Sequence, residues 1–387
     1  MTAMAGRETT VEARLRQNAE VSSPPLSGTV ASGYEAVREA FSDLLQSGEE
    51  TGAGLAVHRD GRFVVDLVGG WADEARTQPW ARDTLVHTYS VSKPFAALAA
   101  LTCVATGHLS LDEPLSRFWP SYAAEGKTTT LRHALAHLAA QPAFPDGPAS
   151  ADLYDAELLE QALAAAPAEW EPGAAPAEHA LTYGHLLSGV IRAATGRDLG
   201  EVFRRQVAPS LGLDAHFGVP DQHLRRVADL ELSDQDWPVT ICGEPGSLRW
   251  RSLSRPPGAV DVSLLNGRAW RTCVFPAIGM HATAATVAAY YAQLPSDSGP
   301  LAGLLGPELH TEFVSPAVSG HDRLLDREVT WTLGLQLDDD GLGMGGIGGC
   351  DAYADTRHGF GYAYLTRRLC DHSRSERVLA ALESVVS

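Results

Sequence analysis

The 387-residue chain is 44% hydrophobic and 20% charged, a composition expected of one large globular domain or two small ones. Thirty Lys and Arg against 48 Asp and Glu leave a formal charge of −18, which disfavours nucleic-acid partners and anionic membranes. Cys103, Cys242, Cys273, Cys350 and Cys370 form no CxxC pair, and the first 30 residues hold no apolar leader, so reduced thiols and a cytoplasmic location are expected.

Residues 1–28 read as a flexible lead-in ending at Ser22-Ser23-Pro24-Pro25. A helix is expected from about Tyr34 to Leu45, where Val37, Ala40, Phe41 and Leu44 recur at helical spacing. Gly54–His58, the turn Arg59-Asp60-Gly61 and Phe63–Val68 signal a hairpin. Ser90 opens a second, very apolar helix that stops at Gly107. Residues 108–250 read as mostly helical, with one helix from about Ala180 to Ala194 closed by Gly196. Strand signals return at Val329–Leu337 and at Asp351–Leu365, folded around Thr356–Gly359, and an amphipathic helix over about Ser375–Val386 follows. This order predicts an α+β fold. An antiparallel sheet from N- and C-terminal strands, flanked by helices, forms an α/β lobe (about 29–88 and 270–387) beside a mostly helical lobe (about 89–269).

The segment Thr88-Tyr89-Ser90-Val91-Ser92-Lys93-Pro94 holds S-x-x-K at the expected start of a helix. Residues three apart share a helix face, so the Lys93 ammonium reaches the Ser90 hydroxyl. A lysine partly desolvated there loses its proton more readily and becomes a base for a serine nucleophile. Ser92 is the competing hydroxyl, as a helix cap, but only Ser90 has the three-residue spacing to Lys93.

With these residues in view, the chain resembles the serine β-lactamase-like, penicillin-binding-protein-type family, nearest to family VIII carboxylesterases and related transacylases. The likeness runs through Val57–Gly61, Asp66–Gly70, Ser90–Lys93, Gly107–Pro114, Leu135–Leu138, Leu181–Gly184, Thr195–Arg197, Asn266–Trp270 and Pro276–Met280. It implies a β-lactamase/transpeptidase-like fold, a Ser90 acyl-enzyme with Lys93 as base, and an oxyanion hole from the backbone amides of Ser90 and Ile347. Two positions depart from the pattern. Glu178 stands where the family places a tyrosine, and Tyr183, five residues later, points roughly 140° away on a helix. Met344 stands where the third motif carries a basic residue, in Gly343-Met344-Gly345-Gly346-Ile347. A thioether offers only soft apolar contact, so a β-lactam is a poor candidate substrate and a larger apolar acyl group fits better.

Glu178 is therefore read as a third catalytic residue, with a salt-bridge partner of Lys93 as the bland alternative. His179, Met344, Gly346 and Trp270 are expected to line the substrate pocket. His87, His137, His185 and His281 read as structural, without metal-ligand spacing. Asp338-Asp339-Asp340 reads as a solvated turn, and Gly341–Gly349 lacks phosphate-loop spacing. No metal or cofactor is expected. The expected activity is ester, lactone or amide hydrolysis or transacylation of a small-molecule acyl substrate in small-molecule or secondary metabolism. The alternative is a repurposed scaffold that catalyses a cyclisation or rearrangement, or binds an acyl ligand, without a covalent intermediate.

Overall fold

The computed structural model describes residues 23–339 and 341–386; the lead-in expected over 1–28 lies mostly outside them, as does Asp340 of the acidic turn. Among the described residues the principal sheet comprises β1 (Leu26–Val30), β2 (Gly52–Arg59), β3 (Arg62–Gly70), β4 (Val318–Asp322), β5 (Arg327–Trp331), β6 (Gln336–Asp338), β7 (Gly341–Gly343), β8 (Asp351–Asp355) and β9 (Phe360–Thr366). Its strand order is β1-β3-β2-β9-β8-β7-β6-β5-β4. Neighbours pair antiparallel, and the two halves of the chain join where Ala56 of β2 faces Ala363 of β9.

The hairpin β2–β3 turns through Asp60 and Gly61, at φ 50° and 76°. Two consecutive left-handed residues make the turn whose twist suits a two-residue hairpin, and Asp-Gly tolerates it. Helices α1 (Glu35–Ser47) and α6 (Ser373–Val386) cover one face of the sheet. There Val37, Phe41 and Leu44 meet Val57, Val65, Tyr362 and Tyr364, with Val378 and Leu382 from α6.

The other face receives α5 (Ala284–Tyr291). A methyl group at Gly361 of β9 would sit 2.2 Å from the Ala288 carbonyl, so the helix backbone rests directly on the strand. Beyond it lie α2 (Lys93–Ala105), α3 (Ala156–Ala165) and α4 (Thr182–Thr195), in a segment that is mostly helical. Helix α2 is buried along most of its length, which explains why its sequence is apolar all round.

Three expectations need correction. The alternation over 329–337 belongs to two strands, β5 and β6, because the chain reverses at 332–335 and plugs Leu333 and Leu335 into the core. Strand β7 was not anticipated, since Gly-Leu-Gly carries little strand signal. Ser90 does not begin an α-helix: Tyr89–Ser92 form a 3₁₀ turn and α2 starts at Lys93.

Candidate active site

Tyr89 precedes the nucleophile candidate at φ 47°, a left-handed backbone that costs energy for a bulky side chain. Packing holds it there: Tyr89 is buried, with its ring edge-on to His87 at 4.4 Å. Ser92 ties the turn down. Its hydroxyl donates to the Tyr89 carbonyl (2.5 Å) and accepts from the Met280 amide (3.1 Å). Ser92 is thus occupied in structure, and Ser90 is the hydroxyl left for chemistry.

Lys93 Nζ donates to Ser90 Oγ at 2.6 Å and lies 3.1 Å from Glu178 Oε1. The lysine is fully buried, Ser90 is 6% exposed, and the Glu178 side chain keeps 13% of its surface. Burial pushes the Lys93 ammonium below its ordinary range, while the Glu178 carboxylate pulls it back up. The structure therefore brings together all three expected catalytic residues. Tyr183 is no rival: it is buried, and its hydroxyl points to the Leu135 carbonyl at 3.4 Å.

Glu178 sits in a fixed segment. Its amide donates to Asp322 Oδ1 (3.1 Å), which also accepts from Leu324 and Leu325, while Asp322 Oδ2 accepts from Trp331 Nε1 (3.0 Å). Next to it the His179 amide donates to His137 Nδ1 (3.0 Å), and His179 Nε2 accepts from the Gln141 amide (3.2 Å). These acceptor roles place the His137 proton on Nε2 and the His179 proton on Nδ1. Burial pushes both rings down, His179 to about 4, so both are neutral near neutral pH. Asp322 and Gln141 carried no sequence signal; they act from 144 and 38 residues away.

Gly346 lies against the nucleophile turn. A methyl group there would be 2.5 Å from the Thr88 carbonyl and 3.3 Å from the Ser90 nitrogen. The Gly346 amide donates to the Cys350 carbonyl, closing the loop that carries Ile347. The side chains of the remaining expected pocket residues are buried. His179 exposes no surface. Trp270 is 1% exposed and stacks near Phe275 and His87. Met344 joins a small apolar cluster with Val329 and Trp331. Ile347 packs against a small apolar cluster that includes Ala177 and Ala180, and Trp170, Leu248 and Trp250 pack against the same cluster.

A cavity of about 1050 Å³ is bordered by Met344 and Gly345 together with Tyr353, Asp355, His372 and Leu379, and its lining does not include Ser90. Among the described residues no cluster fits a metal ion, and no helix is long and apolar enough to cross a membrane.

Comparison with known proteins places this geometry. The Beta-lactamase family profile matches residues 37–385. The "Esterase/beta-lactamase LipL" of Mycobacterium tuberculosis is 30% identical over 365 residues, covering 87% of this chain and 81% of its own length. The crystal structure of a family VIII carboxylesterase superposes with a TM-score of 0.83 at 28% identity, over 93% of this chain and 100% of that one. A penicillin-binding protein homologue from Caulobacter crescentus gives 0.81 at 28% identity, with the same coverage.

Proposed function

Because the chain belongs to the Beta-lactamase family, and is a serine hydrolase-type enzyme akin to named esterases, we propose that it transfers acyl groups through an ester formed on Ser90. The observation that carries this reading is the buried Ser90–Lys93–Glu178 cluster, with separations of 2.6 and 3.1 Å.

In the neutral form that burial favours, Lys93 takes the Ser90 proton as Oγ attacks the substrate carbonyl. The amides of Ser90 and Ile347 receive the developing oxyanion, and backbone donors do not depend on the residue at Met344. The tetrahedral intermediate then expels the alcohol or amine, which takes its proton from Lys93. Glu178 takes the proton of the incoming water, alcohol or amine as it attacks the ester, and the proton returns through Lys93 to the departing Ser90 oxygen. The apolar cluster against which Ile347 packs suits a large apolar acyl group, and β-lactam turnover is expected to be weak or absent. We place the reaction in the small-molecule or secondary metabolism of the cytoplasm, in keeping with five free cysteines.

The test is intact-protein mass spectrometry after exposure to a panel of p-nitrophenyl esters. Adducts on the wild type and Glu178→Gln but not on Ser90→Ala support the reading. Absence of both adduct and turnover with every ester refutes it, and moves the weight to a non-covalent site.

A further inference from the structure

We propose that Arg323 reads a carboxylate on the acyl donor, so that the preferred substrate is an acyl group with an apolar body and an anionic far end. This rests on the acyl-transfer reading above and specifies its substrate class.

The backbone places Arg323 at the site. Its amide donates to the Pro176 carbonyl at 3.0 Å, and its neighbour Asp322 accepts from the Glu178 amide at 3.1 Å. Residues 176–178 and 322–323 thus run side by side. Glu178 faces Lys93 from this pair of segments, and the Arg323 side chain leaves them toward solvent.

Two arginines elsewhere in the chain show the pairing that this side chain lacks. Arg251 pairs with Glu169 at 2.8 Å, and Arg255 pairs with Asp146 at 2.9 Å. Arg323 has no carboxylate partner among the described residues; its guanidinium lies over the Trp170 ring, 4.5 Å from the centroid. An exposed cation left unneutralised in a chain of net charge −18 is available to an outside anion. With the ring on one side, the guanidinium N–H groups that point away from it stay available for charge-assisted bonds to a carboxylate.

An apolar cluster extends from the ring under this cation to the segment that carries Glu178. Trp170 belongs to the cluster that includes Ala177 and Ala180, on either side of Glu178, and Ile347. An acyl donor whose carbonyl sits at Ser90 would lay its hydrocarbon on that cluster and carry its charged end to Arg323. A neutral chain fills the same cluster and leaves the arginine hydrated.

Calorimetric titration of the Ser90→Ala protein with monomethyl adipate and with methyl hexanoate separates the two. The adipate is expected to bind about tenfold tighter. The margin is expected to shrink with added salt, vanish in Ser90→Ala/Arg323→Gln and survive in part in Ser90→Ala/Arg323→Lys. Equal affinity for the two esters, or a margin that survives Arg323→Gln, overturns the proposal. So does equal weakening of both esters with a lowered melting temperature, since Arg323 would then only support Trp170. Wild-type acylation is read separately by mass. A binding margin without a Ser90 adduct sinks the acyl-enzyme reading alone, and an adduct without a margin sinks this one.

Discussion

In the proposed mechanism Glu178 acts on Lys93 through its charge and on the acyl ester through the nucleophile it deprotonates, and these two roles respond differently to its removal. The carboxylate raises the Lys93 pKa against the lowering by burial. Glu178→Gln removes that support, so the rising limb of kcat/KM against pH, which reports neutral Lys93, is expected to move to lower pH. Deacylation loses its base in the same variant, so kcat is expected to fall by about 10²–10⁴ and a burst of p-nitrophenol to appear. A kcat unchanged in Glu178→Gln would reduce the glutamate to an ion-pair partner. Gly346→Ala probes the opposite wall, since its methyl would meet the Thr88 carbonyl at 2.5 Å and push the loop from Ser90. Its kcat is expected to drop about 10²-fold, the scale of one lost oxyanion donor, measured with the same esters. At this scale the sequence was informative where the geometry is local: three residues separate Ser90 from Lys93. Glu178 stands out in the sequence only as a departure from the family pattern, and Asp322, its anchor, carries no signal at all.

Elements with a clean period were legible before their packing was known. Helix α1 shows its buried stripe of Val37, Phe41 and Leu44, and β8 and β9 flank the turn expected between them. The failures share one cause, which is that long-range packing overrode local pattern. Leu333 and Leu335 extended the alternation of β5 into a turn that the core, not the strand, holds. Strand β7 exists because β6 and β8 flank it, with Gly343 facing both Gln336 and Tyr353. The contact between α5 and β9 was likewise invisible, because it needs the absence of a side chain. Gly361→Val is expected to cost at least about 1–3 kcal/mol, because the added Cβ meets the backbone of Ala288 and Ala292 rather than a yielding side chain. Urea unfolding measures it, and a loss below half a kcal/mol, on the scale of a surface substitution, would contradict the close approach.

Over the whole molecule, a buried charge pair fastens the early part of the chain to the late part. Arg374 of α6 reaches Glu50 at 2.9 Å, and Glu50 also accepts from the Tyr364 hydroxyl at 2.6 Å. Both charged side chains are almost wholly enclosed, at 4% and 0% exposure. Arg374→Met leaves Glu50 buried without its cation and is expected to cost about 3–5 kcal/mol in chemical denaturation. Arg374→Met/Glu50→Gln is expected to recover part of that loss, which a merely steric role for Arg374 does not predict. The pairing of Ala56 with Ala363 has a consequence for synthesis on the ribosome. The hairpin β2–β3 emerges early with one long edge bare, and that edge stays open until β9 has been translated. Non-local pairing of this kind folds slowly and leaves a strand edge free to join the wrong chain. A holding chaperone that covers this edge is therefore expected to raise the yield of folded protein.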